Sequence, residues 1–436
     1  MPPTTPIAHR PMTGARLTLV LVTGMTLTTP LAAQTIAITG GRVFPVSGAP
    51  IDHGTVLIRD GKIIAVGSNV TVPSGAQRID ASGKWVTPGI FNAATMLGIM
   101  EVGAVESTVD VAARGKGDGV TASFRAWEGF NAASPLLQVT RNDGITTVAV
   151  MPAGNMIGGQ AAVFNLADGA SRADLLLRAP VAMIADLAST GGDRGASRGE
   201  VLQKFREVLN DAKDFPRRRA DFEKAQSREL AARKADLEAL QPVVQGKMLL
   251  VIDADRASDI ENALLLAKEF SLKIAISGAT EAWKVAEQLA AAHVPVIVGA
   301  LNNIPRSFAM LGARQDNAAV LQKAGVRIII NDGADAFNAR NVKYSAGVAV
   351  SFGLSWDDAL RAVTQSPAEL YGVSDRVGTL AAGKDATLVI WNGDPFELST
   401  RPEHVMVQGK DVLRPSRQDE LMKRYRRTPP DYRSRQ

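Results

Sequence analysis

Eight short apolar runs recur through the middle of this chain, at residues 85–94, 145–151, 161–166, 181–187, 248–253, 273–277, 294–300 and 326–331. Stretches with helical spacing, such as 257–270 and 281–292, separate most of them. Short, nearly continuous apolar runs suit strands buried on both faces. Alternation of strand and helix implies a parallel sheet, because parallel neighbours need a crossover connection. Eight such units predict closure into a (β/α)8 barrel. One unit is irregular: the turn Gly158-Gly159-Gln160 between the second and third runs has no room for a helix. Its glycines read as permitting a tight turn.

The flanks are written differently. Residues 35–88 (IAITGGRVFPV, GTVLIRDGKIIAVG, QRIDASGKWVTPG) are β-branched segments cut by Gly-Gly, Asp-Gly and Pro-Gly. Asp60-Gly61 is a type I′ hairpin signal, since both central residues of that turn need positive φ. Residues 377–413 return to the same style. The expected architecture is a barrel over 89–374 and a composite β-sandwich built from 34–88 and 375–413. Residues 199–240 are densely charged and read as a helical insertion, a solvated excursion or a contact surface.

The termini carry their own signals. Arg10 and Arg16 precede the apolar stretch LTLVLVTGMTL and the small-residue site TPLAAQ, the pattern of a secretory leader cut after Ala33. Met1 and Met12 both stand open as starts. The apolar stretch is shorter than the roughly 20 residues that span a bilayer, and no other spanning segment is apparent, so the mature form is expected to be secreted, in a periplasm, without a membrane span. The chain has no cysteine, which excludes thiolate metal sites, disulfides and a cysteine nucleophile. Its net charge of +5 resides in the tail 414–436, which holds eight Lys/Arg against three acids. No stacking aromatics or nucleic-acid motif accompany the tail, so no nucleic-acid partner is expected; it reads as a solvated terminus.

Several segments resemble, in order, those of the amidohydrolase superfamily, in its imidazolonepropionase-like branch: GTVLIRDGKIIAVG with GKWVTPGIFNAATMLG, then GITTVAVMPAGNMIGGQAAVF, DADRASDIENALLLAKEF, TQSPAELYGV and VGTLAAGKDATLVIWNGDP. The resemblance runs from about residue 36 to 413. It implies hydrolysis of C–N bonds by water activated on one or two divalent ions at the C-terminal mouth of the barrel.

The residues that should hold those ions are replaced. Where the resemblance places a His-x-His pair on the first strand, this chain has Ala94 and Met96. Alanine offers no donor atom, and a thioether is a poor ligand for such ions. No lysine stands on the fourth strand. Asp253 takes the fifth-strand histidine position, and Ser277 or Gly278 the sixth. Asp332 matches the eighth-strand aspartate that serves as proton shuttle. The whole chain has four histidines, His9, His53, His293 and His404, none at the C-terminal end of a predicted strand. A multi-histidine centre cannot be assembled from them.

Polar residues remain at predicted strand ends. Asn155, Gln160, Asn338 and Arg340 are candidate contacts to a small-molecule or peptide ligand, Arg340 as a carboxylate clamp. Glu281 and Lys343 are expected nearby. Asp255 and Asp335 read as helix caps, and Met96 as apolar filling. Three readings stand: a pseudoenzyme without a cofactor, binding a ligand or pairing with an active paralogue or another copy of itself; a hydrolase using one divalent ion on Asp186, Asp253 and Asp332, or a bare carboxylate base; and a non-catalytic scaffold.

Overall fold

The computed structural model describes residues 35–426 apart from 114–118, 170, 188–196, 225–227, 302–303 and 333–334. The leader reading, with its two candidate starts and His9, and the tail beyond residue 426 lie outside the described residues. Five strands come first: β1 (Thr35–Val43), β2 (Ile51–Arg59), β3 (Lys62–Gly67), β4 (Gln77–Asp80) and β5 (Trp85–Pro88). Eight follow: β6 (Ile90–Thr95), β7 (Ile145–Val150), β8 (Ile157–Asn165), β9 (Leu176–Asp186), β10 (Leu249–Ala254), β11 (Ile274–Gly278), β12 (Val296–Val298) and β13 (Ile328–Ile330). Then come β14 (Leu388–Trp391), β15 (Pro402–Val407) and β16 (Lys410–Asp411).

The terminal segments do combine, as one continuous sheet in the order β16-β15-β14-β5-β1-β2-β3, with β4 beside β1. Asp60 and Gly61 both take positive φ, 50° and 76°, so the tight turn between β2 and β3 forms where Asp-Gly predicts it. The sheet curls onto its own core of Ile38, Ile58, Ile63, Leu388 and Ile390. Residues before β14 cover the edge of β3: the Ile63 amide donates to the Lys384 carbonyl at 2.9 Å, and the Ala386 amide to the Gly61 carbonyl at 2.8 Å. Covering that edge removes a row of unpaired backbone groups.

The other eight strands form the barrel sheet in the order β13 to β6. Strands β9 to β13 run parallel, as do β6 and β7. Strand β8 is antiparallel to both β7 and β9. The short links on either side of β8 leave no crossover helix, so it can only return alongside its neighbours. Gly158, Gly159 and Gln160, expected to form a turn, lie inside β8 instead; the irregular unit is a reversed strand, and the turn that precedes it falls at residues 151–156.

Among the described residues, no backbone ladder joins β13 to β6. The side chain of Asn331, just past β13, makes that join instead. Its Oδ1 accepts from the amides of Ala93 (3.1 Å) and Ala94 (3.3 Å), and its Nδ2 donates to the Ala94 carbonyl (2.9 Å). An amide side chain has the donor and acceptor of a peptide group, so it can stand in for one. Asn92 adds a bond to the Ala339 carbonyl (2.8 Å), and Tyr371 Oη donates to the Ala93 carbonyl (2.7 Å). Burial holds the Tyr371 phenol far above its usual range, which keeps it a donor. The lumen below is packed with Phe91, Ala149, Val163, Val251, Ile297 and Ile329.

The charged segment 199–240 is not a solvated excursion. Its long helix, Arg198–Glu223, buries Val201, Phe205, Val208, Leu209, Ala212 and Phe215. These recur at helical spacing, and the charges occupy the rest of the surface. Arg198 pairs with Asp259 (3.0 Å), and buried Asp236 accepts from the amide and hydroxyl of Ser123 (2.8 and 2.7 Å). The segment is part of the layer packed on the barrel. Among the described residues, no helix is long and apolar enough to cross a membrane.

Candidate functional site at the barrel mouth

Three neighbouring strands bring polar side chains together at the mouth. Asp253 on β10 stands opposite Asp186 on β9 and Ser277 on β11. In a strand, alternate residues share a face. Val251, two residues earlier, lies in the lumen core, so Asp253 also points inward. No hydrogen bond or ion pair reaches its carboxyl among the described residues. Burial first, then the charges of Asp186 and Asp255, push the Asp253 carboxyl up to about 8.

Gly278 explains why this corner stays open. Its φ is +78°, and a Cβ there would lie 2.9 Å from Asp255 Oδ1 and 3.1 Å from Asp253 Oδ1. A side chain at this position, where the resemblance allows a histidine, would displace one of the two carboxyls. Asp255 does not cap the helix Ala257–Phe270 as expected, since no side chain caps that helix from its N-cap residue; its carboxylate instead accepts from Thr280, through the hydroxyl (2.5 Å) and the amide (3.3 Å), and so pins the turn after β11. Asp335 caps the amide of Phe337 at 3.0 Å.

Asp332 is buried, and its Oδ2 accepts from the Leu301 amide at 2.7 Å, tying β13 to the loop that leaves β12. Ala94 is buried at the seam, its backbone held by Asn331. Met96 is partly buried and packs on the core between barrel and helices, the filling role expected for it. Glu281 accepts from the Ala257 amide (3.1 Å) and pairs with Lys284 (2.7 Å), at the start of the helix Ala257–Phe270.

The candidate ligand contacts are placed apart from that corner. Asn155, with φ +66°, donates to Thr121 Oγ1 at 3.1 Å. Gln160 donates to the Ala122 carbonyl at 3.1 Å. Both amides hold the segment 119–125 across β8. Asn338 is exposed and contacts Asp335 (3.5 Å) and Asn341 (3.2 Å). Arg340 faces Asp143 at 3.8 Å, and fully buried Lys343 reaches the same carboxylate at 3.1 Å. Asp143 precedes β7, at the end of that strand away from the mouth. The functional residue missed from the sequence is Asn331. Its one signal was a polar amide ending an otherwise apolar run.

A family-type metal centre does not fit these residues. Ala94 has no donor, Met96 is committed to packing, and Gly278 has no room for a side chain. Asp332 is already tied to the Leu301 amide. His53 lies on β2, His293 just before β12 at the foot of the barrel, and His404 lies 2.6 Å from Asp411 in the terminal sheet. Among the described residues, no three His, Cys, Asp or Glu side chains form a group that could hold a metal ion.

Residues 253–412 match the profile of a family described as the amidohydrolase family. An amidohydrolase of known structure from Thermotoga maritima MSB8 is 26% identical, with a TM-score of 0.78, covering 87% of this chain and all of that one. The imidazolonepropionase of Acidiphilium cryptum is 25% identical over 370 residues, 80% of this chain and 89% of that protein. The amidohydrolase tasK of Hapsidospora irregularis is 25% identical over 390 residues. That match takes in 82% of this chain and only 39% of tasK, so the chain spans well under half of that relative.

Proposed function

We propose that this chain, which belongs to the amidohydrolase superfamily, is a metal-free pseudoenzyme that uses the inherited barrel mouth to bind a ligand. Likeness to the imidazolonepropionases supports a nitrogen-containing small molecule as the kind of ligand such a mouth descends from. One observation carries the reading: a corner where relatives would place imidazole holds Asp253, an unpartnered carboxyl beside Asp186 and Asp255. A ligand set for zinc needs imidazole, thiolate or ionised carboxylate converging on one point.

Elemental analysis of protein purified without a His-tag or chelator is expected to find well under one equivalent of any divalent transition metal. One full equivalent, released by substituting Asp253 and Asp332, would overturn the reading in favour of an oxygen-rich hydrolase site. The raised Asp253 carboxyl favours one second reading, because an acid poised near neutrality is what general acid–base chemistry uses. Turnover of an amide or cyclic amide by metal-free protein, lost in Asp253→Asn, would establish it.

The reading includes export. N-terminal sequencing of protein recovered from a periplasmic fraction is expected to begin at Gln34. An intact leader on the fully folded protein would contradict it.

A further inference from the structure

The positive charge of this chain gathers where the terminal sheet ends. Residues 414–436 hold eight Lys/Arg against three acids, an excess equal to the whole net charge of +5. The stretch read from the sequence as a solvated terminus begins as a helix, Arg417–Tyr425. A capping box fixes its start: the Asp419 carboxylate accepts from the Ser416 amide (2.8 Å), and the Ser416 hydroxyl accepts from the Asp419 amide (3.1 Å). Asp419 and Glu420 stand in the first turn, Lys423 and Arg424 in the last, each sign at the end of the helix dipole that favours it. The residues just before the helix are held by the barrel layer, since Asn142 donates to the Arg414 carbonyl (2.7 Å) and Gln138 to the Pro415 carbonyl (3.1 Å).

All nine helix residues are exposed. A helix this short normally draws its stability from packing an amphipathic face. The face exists here. At about 100° per residue, Leu421, Tyr425 and Met422 fall within one narrow sector. They are 37%, 74% and 60% exposed. Arg417 and Arg424 border one side of that sector and Arg426 the other, while Asp419 and Glu420 lie away from it. Among the described residues, none of those three arginines has an ion-pair partner.

An apolar stripe flanked on both sides by guanidinium groups complements a surface that is anionic outside and hydrocarbon just beneath. Long cationic side chains lie along such a boundary and reach out to phosphates, and a tyrosine seats its ring below and its hydroxyl in water. Duplex nucleic acid would pair with the arginines but would set the stripe against phosphate, where it contributes nothing. The helix is too short to cross a bilayer and lies on it.

We propose that the helix Arg417–Tyr425, with the basic residues that follow it in sequence, docks this protein onto a membrane surface rich in anionic phospholipid, with Leu421, Met422 and Tyr425 toward the acyl chains. This holds whether or not the barrel mouth takes a metal.

The test is co-sedimentation of the full chain with vesicles of phosphatidylglycerol and phosphatidylcholine in equal parts, against vesicles of phosphatidylcholine alone. The anionic vesicles should bind the protein at about 0.1 M salt, and about tenfold or more weakly at about 1 M, where the screening length falls from about 10 Å to about 3 Å. Arg417→Gln, Arg424→Gln and Arg426→Gln together should weaken binding about tenfold or more. Leu421→Ser with Tyr425→Ser should weaken it about threefold or more. Lys213→Gln, Arg217→Gln and Lys268→Gln remove the same charge from exposed positions elsewhere and should change it by less than about twofold. Every substituted residue is exposed, so the variants keep the fold, and all share one N-terminus, so a leader left on the chain contributes equally to each.

Equal sedimentation with both kinds of vesicle would overturn the proposal, and so would equal loss in the two triple variants. Tight binding to duplex DNA that the glutamines abolish and the serines leave untouched would give the tail to nucleic acid instead. A dimer in light scattering that the two serines dissolve would give the stripe to a second copy of this chain.

Discussion

Asp253→Asn is expected to stabilise the protein by on the order of 5 kcal/mol at pH 8, and hardly at all at pH 4. The Asp253 carboxyl goes from 3.8 to about 8 on folding, chiefly through burial. Between those values the unfolded chain has lost the proton and the folded chain keeps it. The unfolded state then binds fewer protons, so stability falls as pH rises. The loss is about 1.4 kcal/mol per pH unit and levels off above the folded value. Asparagine has the same shape and no proton to lose, so it removes the slope. Urea midpoints of both proteins at pH 5, 6.5 and 8 should diverge steadily. A gap that stays constant or narrows with pH would contradict the environment assigned to Asp253. Acids held this far above their usual range concentrate at functional sites.

Asn331→Ala should cost about 3–5 kcal/mol, because it strips the seam between the first and last barrel strands. The buried amides of Ala93 and Ala94 and the Ala94 carbonyl would lose the partner that Asn331 provides. Asn331→Leu fills similar space and should be no better, since the unpaired backbone groups remain. Asn338→Ala, on the exposed side of the same loop, should stay within about 0.5 kcal/mol. Denaturation midpoints for the three variants test this. An Asn331→Ala protein within 1 kcal/mol of its parent would mean that the barrel closes by other contacts.

Most of the architecture could be read from residue patterns, and the exceptions have physical causes. The eight barrel strands fall within or beside the apolar runs because each is largely buried, which leaves a nearly uninterrupted apolar signature; the run 85–94 hides a boundary, since Trp85–Pro88 belongs to the terminal sheet and the barrel strand begins at Ile90. The direction of β8 was not in that signature, since an apolar run reads the same both ways; only the missing helix beside Gly158-Gly159 hinted at it. The 199–240 segment misled because its charges outnumber a buried stripe of six apolar residues at helical spacing. At the mouth, residue types were legible: Ala94 and Met96 cannot bind a metal in any fold. The isolation of Asp253 was not, because it depends on which carboxyls come within reach across β9, β10 and the turn after β11. The role of Asn331 was hidden for the same reason. Its partners lie 237 and 238 residues away.

The pairing of β5 with β14 has a consequence in time. Trp391 Nε1 donates to Thr87 Oγ1 at 2.9 Å across 304 residues of sequence. At about 5–20 residues per second, a ribosome delivers β14 some fifteen to sixty seconds after β5. Until then β5 has one flank open while the whole barrel is being made. The terminal sheet is therefore a clasp that fastens last, joining the beginning of the chain to its end only after everything between them exists. A chain cut short before β14 would carry an unfastened strand edge, an invitation to pair with a neighbour. Such truncations should reveal themselves as aggregates rather than as smaller folded proteins.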